Sequence, residues 1–314
     1  MAMISRRTLS LAAVAGTMVS LAGSNAKARD LAPRIVAQRL DRIVMVAGNL
    51  DRLARFYAAL GFVADDARPA PEHAALAHAS SATSRLMRIG EQIIELVAFN
   101  SPGAAYPWPG KSSDPWFQHI SLVAPDMNAA LTRLSAAEGW SPISRRGPVE
   151  LSPTLMASLG VSGGFAVYKF RDPEGHPLEF ATATRAAPPW SAPGPGLLGY
   201  NHSALGVTDV DRSITFYRDE LGLTQGVRVR STGAEQSSAD GLTDAKVDIA
   251  EMLPAVATPH VEFLGYHDAL ARAPVAVGPR DSAATRLVLT AHGVTGTMLR
   301  RDPDGHWLQL VAAS

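Results

Sequence analysis

Two histidine–glutamate pairs in this sequence share one spacing. His119 stands 60 residues before Glu179, and His202 stands 60 residues before Glu262. The segments around them, QHISLV, PLEFATA, NHSALG and VEFL, are short, apolar and alternating enough to read as strands. Imidazole and carboxylate can ligate a divalent ion, and the same groups serve as general acids and bases. Cysteine is absent from all 314 residues. That removes thiol catalysis, thiolate ligation and disulfides together, so any metal must be held by His and carboxylate.

The elements that must position these residues repeat. FRDPEGHPLEF (170–180) returns as RRDPDGHWLQL (300–310), with Glu179 replaced by Gln309. LDRIVMVAGNLDRLARFYAALGF (40–62) matches GYNHSALGVTDVDRSITFYRDELGL (199–223) at an offset of 160. Each copy reads as a strand, then a helix opened by Asp-Arg and stopped by Gly61 or Gly222, with Phe-Tyr on its inner face. A second strand and helix follow at 118–134, and strands at 93–99, 165–170 and 177–183 are joined by tight turns. Pro and Gly in Asp-Pro-Glu-Gly suit such a turn. The unit is therefore a strand, a helix and three strands. RAAPPWSAPGPG (185–196) has the composition of a linker, so the sequence predicts an α+β chain of two domains, 35–184 and 197–312.

This βαβββ unit, the FY…LGF helix ending and the DPxGHxxE hairpin resemble the vicinal oxygen chelate superfamily, which includes glyoxalase I, extradiol dioxygenases and bleomycin resistance proteins. The resemblance covers nearly all of residues 38–312. It implies tandem modules whose sheets curl around a cup, with a divalent ion (Zn, Ni, Mn or Fe(II)) held by side chains from each module's first and last strands.

Carried over residue by residue, the ligand positions are Arg42 and Glu95, His119 and Glu179, His202 and Glu262, and Arg286 and Gln309 for modules one to four. A guanidinium cannot ligate a metal, and an amide oxygen is a weak neutral ligand. The set His119, Glu179, His202 and Glu262 is that of a bacterial glyoxalase I site. The resemblance implies one cup between modules two and three and another between one and four. Pairing within each domain is the alternative, with Arg42, Glu95, His119 and Glu179 in one cup. Module four is short: the offset is 167 from Glu95 to Glu262 and from His119 to Arg286, but only 130 between the two DPxGH turns. The missing 37 residues leave no room for its helix.

Other histidines carry less. His260 shares the strand face of Glu262 and is placed to line a cup. His176 and His306 belong to the hairpin turns, and His73, His78, His267 and His292 show no signal. Trp108, Trp116 and the insertion at 144–164 are either a substrate wall or lid, or loop filler.

The amino terminus reads as an export signal and not as structure. Arg6-Arg7 precede a weakly apolar run, Leu9 to Leu21, and Ala26-Lys27-Ala28 offers a cleavage site. The pattern resembles a twin-arginine signal over residues 1–28, which predicts a periplasmic protein. Formal charge is zero. No Lys/Arg run lies beyond the signal, so no electrostatic footprint for nucleic acid exists. With 46% hydrophobic and 18% charged residues, the mature chain reads as globular, with no membrane attachment, as a monomer or homodimer acting on a small molecule. Three functions fit the resemblance. One is a glyoxalase I-like lyase or isomerase, in which Glu179 or Glu262 moves a proton between adjacent carbons of a substrate with vicinal oxygens. The others are a ring-cleaving dioxygenase and a non-catalytic binding or resistance protein.

Overall fold

The two FY helices form where the repeat predicts them. In the computed structural model, which describes residues 35–158, 164–182, 196–267 and 276–313, α1 (Leu50–Leu60) is capped by Asn49, whose side chain accepts the Arg52 amide. It stops at Gly61 with φ 108°, where a side chain would be strained. The equivalent helix, α5 (Val210–Leu221), is capped by Asp209 and ends at Gly222 with φ 70°. The expected export signal (1–28), nearly all of the expected Pro/Gly linker and residues 159–163 of the insertion lie outside the described residues. No helix among the described residues is long and apolar enough to cross a membrane.

The four modules follow in order, though only the third shows the full βαβββ pattern. Module one runs β1 (Val36–Val46), α1, the two-residue strands β2 (Val63–Ala64) and β3 (Arg68–Pro69), α2 (Pro71–Leu76), β4 (Ala82–Ile89) and β5 (Gln92–Phe99). Module two runs β6 (Gln118–Val123), α3 (Met127–Ala136), β7 (Ser141–Pro142), β8 (Val149–Glu150), α4 (Pro153–Ser158), β9 (Ala166–Arg171) and β10 (Pro177–Ala181). Module three contains β11 (Gly199–Gly206), α5, β12 (Thr224–Thr232), α6 (Gly233–Ala239), β13 (Lys246–Leu253) and β14 (His260–Tyr266). Module four is reduced to β15 (Arg286–His292), β16 (Thr297–Arg301) and β17 (Trp307–Ala312), with no helix among its described residues.

Sheet order settles which modules pair. One eight-stranded sheet runs β16-β17-β15-β1-β5-β4-β2, with β3 on β4, and joins modules one and four. The other, of nine strands, runs β12-β13-β14-β11-β6-β10-β9-β7, with β8 on β9, and joins modules two and three. The junctions, β1 with β15 and β6 with β11, are antiparallel. Arg42 and Glu95 thus lie in a different sheet from His119 and Glu179.

Strand alternation assigns opposite work to the two faces of each sheet. Outward residues such as Ile43, Met45, Ile120, Leu122, Phe170, Phe180, Leu205 and Phe263 join Leu53, Phe56 and Tyr57 of α1 in the main core. The inner face of the first sheet is packed by Val44, Val46, Val97, Phe99 and Val288 against Ala70, Ala74 and Ala77 in and beside α2. That cup is plugged. The inner face of the second sheet carries His119, Glu179, His202 and Glu262.

The repeated DPxGH turn works as a clamp. Asp172 accepts the amides of Glu174 (2.8 Å) and His176 (3.0 Å) and the His176 ring at 2.8 Å, and it receives the Tyr57 hydroxyl at 3.3 Å. Glu174 in turn accepts the amides of Gly48 and Asn49 at the start of α1. Asp302, Tyr217 and the amides of Asp304 and His306 repeat the arrangement. His176 and His306 are therefore structural.

Candidate metal centre

Four adjacent strands, β10, β6, β11 and β14, set the residues of interest side by side. On β6, His119 and Ser121 alternate with the core residues Ile120 and Leu122. The antiparallel register places Ala204 opposite His119 and His202 opposite Ser121. Parallel pairing sets Glu179 beside Ser121 and His202 beside His260. His119, Glu179 and His202 are 2%, 6% and 9% exposed, so each needs a polar partner within the protein or a ligand.

The four expected residues come together as two overlapping triads and not as one quartet. His119, Glu179 and His202 offer donor atoms within 4.8 Å of one another, and so do His202, His260 and Glu262. His202 is common to both. Its Nε2 lies 4.0 Å from Glu179 Oε1, and its Nδ1 lies 3.5 Å from Glu262 Oε1. His119 Nε2 is 3.8 Å from Glu179 Oε2, and His260 Nε2 is 3.5 Å from Glu262 Oε1. Bond lengths of about 2.1 Å around a tetrahedral ion set neighbouring donors about 3.4 Å apart, so these separations suit ligands around a cation. Both ring nitrogens of His119, and Nε2 of His260, are buried without a hydrogen-bond partner. A neutral imidazole nitrogen left so is expensive unless something occupies it. The residues fit a divalent ion.

Electrostatics divide the two carboxylates. Burial alone raises Glu262, but His202, His260 and Lys169 outweigh it and bring the group down to about 2. Burial raises Glu179, and Lys169 and the Ser121 hydroxyl at 2.7 Å only partly offset it. Burial also pushes His119 well below its usual value and His202 down to about 4. Both imidazoles are thus neutral at physiological pH, the form that ligates.

Several participants went unread in the sequence. Lys169 lies opposite Glu179 in the β9–β10 pair, with Nζ 3.7 Å from Glu179 and 2.6 Å from Asp240. Tyr266 and Gln236 also donate to Asp240. A lone Lys within FAVYKF, on the same parity as the cup face, is the signal that marks it. Ser121 follows His119 by two, on the same face. Part of the insertion is packed: Val149 and Leu151 lie with Ala239 of α6 on Val167 and Ala181, the inner-face neighbours of Lys169 and Glu179. Trp108 is exposed, and Trp116 belongs to the plug of the other cup.

That other cup holds its own charge pairs. Arg42 donates to Glu95 at 2.8 Å, His73 Nε2 lies 3.1 Å from the same carboxylate, and Arg286 meets His73 Nδ1 at 3.2 Å. His73, which carried no signal in the sequence, is fully buried on α2. Burial raises the Glu95 carboxyl, yet His73 and Arg42 bring it down to about 2.

The comparisons agree with this architecture. Residues 39–180 match the model of the Glyoxalase/Bleomycin resistance protein/Dioxygenase superfamily. No curated protein sequence matches the chain. Among solved structures, glyoxalase I from Zea mays aligns over 88% of this chain and 93% of its own at 16% identity, with a TM-score of 0.54. A mutant of the same maize enzyme gives 0.56 at 16% identity, over 88% and 93% of the two chains. A "putative dioxygenase" from Bacillus subtilis aligns over 88% and 86% at 14% identity, with a TM-score of 0.54. Residues 39–180 are thus similar to the Glyoxalase/Bleomycin resistance protein/Dioxygenase superfamily, within a fold the chain shares along most of its length with glyoxalase I from Zea mays.

Proposed function

We propose that this protein is a metal-dependent lyase or isomerase of the glyoxalase type, acting on a small substrate with oxygens on adjacent carbons. The observation that carries the reading is the meeting of His119 and Glu179 with His202 and Glu262 on one sheet face, with imidazole nitrogens left unpartnered. A divalent ion bound there would act as a Lewis acid on the substrate oxygens. The protein's own groups divide the remaining work. Glu262, held at about 2, stays anionic as a ligand. Glu179, raised by burial, is the better proton carrier, because a general base works best with a pKa nearer the working pH. It takes the proton from one carbon and returns it to the neighbour. Lys169 keeps a positive charge beside Glu179 and helps hold it ionised between transfers.

Elemental analysis of the purified protein, followed by an anaerobic screen of 2-oxoaldehydes and their thiol adducts, tests the reading. Isomerisation without oxygen is expected, and Glu179→Gln should lower kcat on the order of 10²–10⁴-fold. Absence of bound metal together with tight binding of an unchanged small molecule would instead mark a binding protein.

One feature favours a second reading. His119, His202 and Glu179 form a two-His, one-carboxylate group, the ligand type of non-haem Fe(II) oxygenases. Catechol cleavage with stoichiometric oxygen uptake in the same screen would establish that activity in place of the first.

A further inference from the structure

His260 and Glu251 have no counterpart in the plugged cup. The pairing of β13 with β14 sets Glu251 opposite Glu262, as the pairing of β4 with β5 sets Leu86 opposite Glu95. Two residues before those carboxylates stand His260 in one sheet and Ile93 in the other. Module three thus buries an imidazole and half-buries a carboxylate at positions where module one carries hydrocarbon. Burying polar groups costs free energy unless a partner compensates, and His260 Nε2 has no hydrogen-bond partner.

The rings of His119, His202 and His260 form a row across β6, β11 and β14, with centroids 5.5 Å and 5.4 Å apart. His202 stands in the middle and presents one nitrogen to each side: Nε2 toward Glu179 and Nδ1 toward Glu262. Beyond Glu262, His260 Nε2 also lies 3.9 Å from Glu251 Oε1. Donor atoms therefore cluster on both flanks of a single imidazole, at separations that suit a cation on either side.

We propose that this cup holds two divalent ions bridged by His202, one with His119 and Glu179 and the other with His260 and Glu262, with Glu251 beside the second. This deepens the metal-dependent reading above and rests on it. Charge and protons balance. Asn201 Oδ1 lies 3.0 Å from His202 Nδ1 and so takes the Nδ1–H. Binding of the second ion displaces that proton to solvent and leaves the ring an imidazolate. The ring, Glu179, Glu262 and Glu251 then match two divalent ions charge for charge. Three imidazoles also select borderline ions such as Zn(II) over Mg(II), which prefers oxygen ligands.

The test is stoichiometry, read without reference to turnover. The full chain is stripped with a chelator, equilibrated against buffered submicromolar Zn(II), and analysed for zinc per chain. Two per chain are expected, falling to one in His260→Asn and to one in His119→Asn, while His202→Asn weakens both sites at least tenfold. Circular dichroism checks that each variant is folded, and the unmodified chain is decisive even if a variant is not. One ion per chain overturns the bridge and leaves the mononuclear reading standing. None overturns both, and two ions retained in a folded His260→Asn place the second elsewhere and also overturn the proposal.

Discussion

Arg286 holds in the first sheet the register position that His119 holds in the second: it faces Val44 across β1 and β15 as His119 faces Ala204 across β6 and β11. The correspondence extends to all four ligand positions, with Arg42 for His202, Glu95 for Glu262 and Gln309 for Glu179. One cup supplies its positive charge from the chain, as fixed guanidinium groups. The other presents neutral imidazoles and carboxylates, and so has its positive charge to gain from solution.

The first prediction follows from that contrast. Arg42→Met leaves Glu95, only 2% exposed, with His73 as its remaining close partner. Removing one member of a buried ion pair should cost on the order of 3 kcal/mol. A lowered urea midpoint with unchanged zinc content is the expected result. Loss of zinc in a folded variant would mean that the first cup contributes ligands.

The clamp gives a second. Asp172→Ala strands the amides of Glu174 and His176 and the His176 ring, all buried or half-buried. Several stranded donors should together cost about 3 kcal/mol, and Asp302→Ala should cost a similar amount. Denaturant titration measures the loss. Zinc uptake by the folded fraction should match that of the unmodified chain, because the clamp lies outside the ligand set.

Much of this was legible in the sequence because it is written in local patterns. Strand alternation, the Asp-Arg pairs in the first turns of the helices, and glycines at 61 and 222 are set by neighbours along the chain. The ligand positions came through the resemblance, and the strand registers reproduce the offsets between them. Pairing of the cups came only through the resemblance, because local pattern does not say which strand edges meet after folding. His73 and Lys169 were missed for the same reason: each acts on a carboxylate brought to it by tertiary packing, 22 residues away for Glu95 and across a hairpin for Glu179. The overlap of two triads at His202 depends on ring orientation, which no spacing records.

Export rests on the sequence alone. The receptor for twin-arginine signals reads the arginine pair and not merely its charge, so Arg6→Lys with Arg7→Lys should hold the precursor in the cytoplasm. Cell fractionation with an antibody to the folded domain follows it. Undiminished delivery to the periplasm would rule out this route.

The metal-free protein should be acid-sensitive earlier than its carboxylates alone would make it. Burial holds His202 at about 4 and pushes His119 well below 6.5, so the unfolded chain takes up these protons before the folded one does. Their contribution to stability is complete above about pH 6.5 and is lost as pH falls toward the folded values, at up to about 1.4 kcal/mol per group per pH unit. Glu262, depressed from 4.5 to about 2, extends the loss below pH 4.5. Glu179 and His176 work the other way, since burial raises the Glu179 carboxyl and Asp172, despite burial, raises the His176 ring, so both take protons in the folded state first; between about pH 7 and about pH 5 two lowered imidazoles stand against one raised one. Urea titrations of the stripped chain should therefore show a falling midpoint between about pH 7 and about pH 5. In His202→Asn one of the two imidazole contributions is gone, so the fall over that interval should be shallower. Zinc should hold the loaded chain stable further into acid, because protons must first displace the ion from the imidazoles. An equal midpoint for the stripped chain at both pH values would show that these histidines are not buried as neutral groups.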